Sequence, residues 1–124
     1  MNRRSFIYQA SGITLGLPAF ARNEGLPYLD EIGLQLYTLR NPIKQDLSKT
    51  IREVAQIGYK QVESYGFPSP QSLELITQSR ERGMEVNSSH FNWDCVLHPE
   101  KKGVQPFGEV LETAGKHKLT DLVV

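Results

Sequence analysis

Cysteine is almost missing: Cys95 is the single one in 124 residues. That excludes an internal disulfide and any cysteine-rich zinc site. Charge of one sign is lacking too, since 14 basic residues face 14 acidic ones. No basic stripe runs along the chain, so nothing points to nucleic acid as a partner. Long apolar runs are also missing. The stretch Ala10 to Phe20 is too short and too rich in glycine to span a bilayer, so no integral membrane segment is expected. What remains is the composition of a soluble globular protein, with 39% hydrophobic and 23% charged residues.

The first 21 residues read differently from the rest. MNRRSFIYQ sets Arg3 and Arg4 before ASGITLGLPAF, and Ala19-Phe20-Ala21 supplies the small-x-small pattern that a signal peptidase cuts. Asn2 to Ile7 resembles the twin-arginine export signature, in which two arginines precede a polar residue, Phe and an aliphatic. The expectation is a twin-arginine signal peptide over 1–21, cut after Ala21. The export machinery is then a partner and the mature chain is periplasmic or secreted. A basic N-terminus without that role is the alternative. Cleavage removes two of the 14 basic residues and none of the 14 acidic ones, leaving 12 against 14. A lone cysteine suits a route that carries folded proteins, because no disulfide has to form outside the cytoplasm.

Residues 22–30 read as a linker, broken by Gly25 and Pro27. EIGLQLYTLR then alternates, which predicts a strand over Ile32 to Leu39 with Leu34 and Leu36 on one face. Gly33, Gln35 and Tyr37 share the other. Pro42 is expected to end that segment. Asp46 is placed to cap a helix from Leu47 to Ile57, with Gly58 at its C-terminal end. A second strand centres on Val62, with Gln61 and Glu63 on its opposite face. Ser69-Pro70 opens a helix over Gln71 to Arg82 that Gly83 terminates. MEVNSSHF is the third strand, followed by a polar loop through Gln105. A helix over Pro106 to Lys118 and the apolar run LTDLVV complete the pattern.

The order β-α-β-α-β-α-β predicts an α/β fold with a parallel sheet. A doubly wound sheet would want a glycine-rich turn after its first strand, and YTLRNPIKQD has no glycine. Polar residues on one face of the first two strands favour a (β/α)8 TIM barrel instead. Such a barrel takes about 250 residues. Residues 31–124 therefore read as its N-terminal half, truncated and not expected to catalyse alone.

IGLQLYTLR, EVAQIGYKQVESYGF and RERGMEVNSSHF resemble, in order and spacing, the first three strand regions of the sugar phosphate isomerase/epimerase family. These are the xylose isomerase-like TIM barrels, and the resemblance covers residues 31–124. It implies a sugar or sugar-phosphate isomerase or epimerase that moves a proton next to a carbonyl, assisted by a divalent metal (Mn, Mg, Co or Zn). It further implies Glu63, at the end of the second strand, and His90, at the end of the third, as catalytic residues. Gln35 and Tyr37 would face the carbohydrate. The metal ligands of the family would lie beyond Val124, so none is assigned here.

Each residue also has a plainer reading. His90 can be a strand-end histidine bonded to a carbonyl, Glu63 a solvated carboxylate, and Tyr37 interior packing. Trp93 and Asp94 belong either to a pocket wall or to a surface loop. His98 lies in the charged stretch LHPEKKG, where exposure is expected. His117 near a helix C-terminus complements the dipole, and Cys95 lacks basic neighbours and reads as inert. A different class of function is a non-catalytic carbohydrate-binding remnant stacking sugars on Tyr37 and Trp93. Hydrolase or lyase chemistry on the same scaffold is also left open.

Overall fold

The computed structural model describes residues 32–124. The expected signal segment 1–21, its cut after Ala21 and the linker 22–30 lie outside them. Among the described residues no helix is long and apolar enough to cross a membrane.

One parallel sheet contains β1 (Gly33–Gln35), β2 (Gln61–Phe67), β3 (Ser88–Phe91) and β4 (Asp121–Val123). A 3-10 segment (Leu36–Leu39), α1 (Arg40–Gln45) and α2 (Leu47–Ile57) join β1 to β2. α3 (Pro70–Glu81) joins β2 to β3, and α4 (Asp94–Leu97) and α5 (Phe107–Lys116) join β3 to β4. The strands lie side by side in chain order. A doubly wound sheet reverses its order at a switch point; no reversal occurs among the described strands. Sequential parallel strands with crossovers of one hand put the helices on a single face.

The helix ends follow from the residues expected to cap them. The Asp46 carboxylate accepts from the Lys49 N–H at 2.8 Å, and Ser69 Oγ accepts from the Ser72 N–H at 3.2 Å. Gly58 closes α2 in the left-handed region at φ 114°, and His117 stands at the C-terminal cap of α5. Two expectations fail locally. The first strand stops at Gln35 rather than Leu39, because Gln35 caps the 3-10 turn behind it. Its side chain accepts from the Tyr37 N–H, and its carbonyl accepts from Thr38 Oγ1 at 2.7 Å. Pro42 does not end a segment but sits third in α1, where a missing N–H costs no intrahelical bond.

The core lies between the sheet and the helices. Leu36, Ile51, Leu75, Ile76, Val86 and Val110 are buried there almost completely. Ser64 on β2 and Ser72 and Ser79 on α3 are buried with them, and Ser64 Oγ donates to the Ser72 carbonyl at 3.3 Å. Small side chains at these positions let α3 pack closely on the sheet.

Two irregularities in the β2–β3 ladder position everything on the opposite face. Gln61 bridges Glu85 and Ser64 pairs with Ser89, so three steps along β2 match four along its neighbour. Ser64 and Phe67 then pair with Ser89 and Phe91, so three steps match two. One extra residue near Asn87 is thus compensated by one near Gly66, which takes φ +70°. Strict alternation along MEVNSSHF would put Val86 on the same face as Ser88 and His90. The first bulge turns Val86 into the core instead, where Ser89 and Phe91 are also buried.

Candidate functional site

The sheet face turned away from the helices carries polar and aromatic side chains. Gln35 pairs in register with Glu63, and Ser88 lies beside Glu63 on the next strand, forming one layer. Tyr65 and His90, each two residues further along, form a second layer, with Tyr37 beside them across β1. Glu63 is not at the end of its strand, as expected, but third of seven residues. β2 runs on to Phe67 because the Gly66 bulge returns Phe67 to the core.

The two layers meet at one contact. His90 Nε2 lies 3.0 Å from Glu63 Oε1, and Ser88 Oγ donates to Glu63 Oε2 at 2.5 Å. Both carboxylate oxygens are therefore engaged, and the carboxylate fixes the imidazole with its Nε2–H inward. The Glu63 side chain is 23% exposed and that of His90 39%. The more accessible partner is the histidine.

A cleft of about 470 Å³ opens beside His90, lined by Gln35, Tyr37, Tyr65, Gly66, Phe91 and Asn92 as well. Glu63 is not in its wall. It lines a smaller cleft of about 210 Å³ with Gln35, Ser88 and Asn87. Tyr37 meets Tyr65 edge to face, with ring centroids 5.4 Å apart. The Arg40 guanidinium lies over the Tyr37 ring, 4.6 Å from its centroid, and donates to the Tyr37 carbonyl at 3.2 Å.

Of the residues singled out in the sequence, Gln35, Tyr37, Glu63 and His90 come together. Trp93 does not join them. It packs edge to face on Phe91 at 6.0 Å and lines a separate groove with Phe107, Leu111, Leu122 and Val124. Tyr37 and Trp93 thus form no common stacking surface. Asp94 opens α4 and pairs with Lys101 at 3.1 Å, and His98 faces Glu100 at 3.5 Å in an exposed loop. Sequence reasoning does not single out Tyr65. Its signal is the i, i+2 spacing from Glu63, hidden once the strand is taken to end there.

Cys95 is buried, and burial pushes its thiol above the ordinary range, opposed in part by a backbone hydrogen bond and reinforced by Asp94. Thiolate, not thiol, reacts with disulfide reagents. With Ellman's reagent at pH 8 the folded chain is expected to react at least about tenfold more slowly than the urea-unfolded chain. Equal rates would contradict an inert, covered thiol.

Among the described residues no three His, Cys, Asp or Glu side chains lie close enough to hold a metal ion. Glu63 and His90 are two donors already spent on each other and on Ser88. The donor set present does not fit the divalent ion that the family resemblance implies.

Comparison with family models, with curated proteins and with solved structures gives no match.

Proposed function

We propose that these strands are one half of a (β/α)8 barrel of the sugar isomerase/epimerase kind, and that they supply the proton-moving side of a site for a hydroxycarbonyl sugar. The observation that carries this reading is the Glu63–His90 contact at 3.0 Å beside an aromatic cleft. Barrels of this type place their chemistry at the C-terminal ends of their parallel strands. Both margins of the sheet, β1 and β4, are unpaired among the described residues, and barrel closure would pair them.

Roles follow from access. With Nε2–H held by Glu63, the lone pair of His90 is on Nδ1, and His90 is the member of the pair that lines the cleft. In this reading His90 Nδ1 takes the proton from the carbon next to the carbonyl and returns it to the same or the neighbouring atom. Glu63 positions the ring and stabilises the imidazolium that forms, and Ser88 fixes the carboxylate. The resemblance implies both Glu63 and His90 as catalytic residues; in this reading the histidine moves the proton and the carboxylate positions it. No step is routed through a metal. Any ligands for one would come from outside the described residues.

The purified full chain is expected to bind sugars without interconverting them. Saturation-transfer NMR with aldoses and ketoses should show contact, and Tyr37→Ala should weaken it about tenfold, the worth of one lost stacking contact. Turnover by this chain alone in the presence of EDTA would sink the half-site reading. Absence of contact with every sugar would sink the carbohydrate reading altogether.

A further inference from the structure

Two side-chain amides stand in the wall of the His90 cleft, and both are held in the same way. Gln35 is the last residue of β1, and its Oε1 accepts from the Tyr37 N–H. Asn92 follows β3 directly, and its Oδ1 accepts from the Asp94 N–H at 3.0 Å. Only the oxygen of an amide accepts, so each bond fixes which end is which. Both oxygens are spent on backbone two residues further along. The amino groups are the ends left for a ligand.

The wall offers no stronger donor. No lysine or arginine is among its lining residues. Arg40 is committed to the Tyr37 ring and carbonyl. Tyr65 lines the cleft with its ring, but its hydroxyl oxygen is buried and does not open to it. Of the two amides, Gln35 belongs to β1, two strands and about 10 Å across the sheet from β3. Asn92 stands two residues beyond His90 and lines the same cleft. It is the amide nearest the base.

Removing a proton from the carbon beside a carbonyl breaks a C–H bond, and the electron pair moves onto the carbonyl oxygen. His90 then ends as imidazolium and the substrate as an enediolate. The new negative charge develops near the Glu63 carboxylate, which lies 3.0 Å from His90 and repels it. A donor already in place must offset that repulsion. We infer that Asn92 is this donor, its amino group binding the carbonyl oxygen and tightening its hold as the enediolate forms. The inference rests on the proton-transfer reading of His90 and adds a further catalytic residue to it. The Asp94 N–H holds the amide beforehand, so no reorganisation is needed at the moment of transfer. A neutral donor also leaves His90 free to take up a proton, which an ammonium at this place would oppose.

The test uses the full chain in EDTA, so that no metal mediates binding, with its Asn92→Asp and Asn92→Ser variants. Both substitutions keep an oxygen for the Asp94 N–H and remove the amino group, and serine adds no charge. Two ligands of equal length are titrated by calorimetry, a four-carbon polyhydroxy hydroxamate and the matching tetritol. The hydroxamate carries the adjacent oxygens of an enediolate, and the tetritol does not. The hydroxamate should bind more tightly to the unsubstituted chain. Each substitution should weaken it at least about tenfold, a donor lost to a charged oxygen, and leave the tetritol within about twofold. Melting temperatures read by circular dichroism should stay level. Unchanged hydroxamate affinity, equal weakening of both ligands, or weakening only where the melting temperature falls would overturn the role of Asn92. A hydroxamate no tighter than the tetritol would do the same, and each of these leaves the sugar reading standing. If neither these ligands nor any aldose or ketose binds, both fall.

Discussion

Replacing Arg80 by alanine is expected to destabilise the fold by about 3 kcal/mol, since two hydrogen bonds from a charged donor are lost at about 1.5 kcal/mol each. Arg80 lies near the end of α3, and its guanidinium spans two other elements. Nη1 donates to the His117 carbonyl at 2.6 Å, and Nη2 donates to the Val86 carbonyl at 2.6 Å. Neither acceptor belongs to the regular ladder or helix pattern. His117 caps the C-terminus of α5, where carbonyls have no intrahelical donor. Val86 lies in the interrupted stretch before β3, between the Glu85 bridge and Ser88. One side chain therefore completes both a helix end and a bulge. Lysine cannot do this with a single ammonium, so Arg80→Lys should recover less than half of the loss. Arg82→Ala is the control, because Arg82 bonds only within its own helix, to the Gln78 carbonyl at 3.0 Å. Urea titrations of the full chain would decide it. An Arg80→Ala midpoint equal to that of Arg82→Ala would remove the clamp from the account.

Gly66→Val is expected to cost about 2–3 kcal/mol, the upper range for holding a side chain in a sparsely populated backbone region. Gly66 takes φ +70° at the second bulge. A Cβ there would meet Ser69 Oγ at 3.6 Å, an ordinary contact, so the penalty is one of backbone conformation and not of crowding. That distinction predicts an order. Asparagine, which tolerates the left-handed region, should be mildest, alanine should cost about 1–2 kcal/mol, and β-branched valine should be worst. Alanine as stable as glycine would refute the bulge argument. Valine should also weaken sugar binding, because the bulge is what leaves Tyr65 in the cleft and returns Phe67 to the core.

Much of the architecture is legible in the sequence because the capping residues announce themselves. Asp46, Gly58, Ser69-Pro70 and Gly83 sit where α2 and α3 begin and end, within a residue of the expected bounds. The juxtaposition of Glu63 and His90 is legible as well, since adjacent parallel strands must bring such positions close. The bulges are not. A period-two pattern carries no mark of an inserted residue until a ladder is drawn, so it puts Val86 on the wrong face and passes over Tyr65. The first strand reads too long for a different reason. LQLYTL alternates well, but the Gln35 side chain competes for the backbone and winds the next four residues into a 3-10 turn.

Trp93 is the sole indole of the chain and is 42% exposed in the groove beside α5 and β4, outside the His90 cleft. Its fluorescence therefore watches the wrong wall for sugar titrations and the right one for anything that settles along β4. Phe91 is the single wall residue shared between groove and cleft, and it touches the indole at its edge. Emission from this chain is thus an optical gauge of edge coverage, read at one wavelength without any added label.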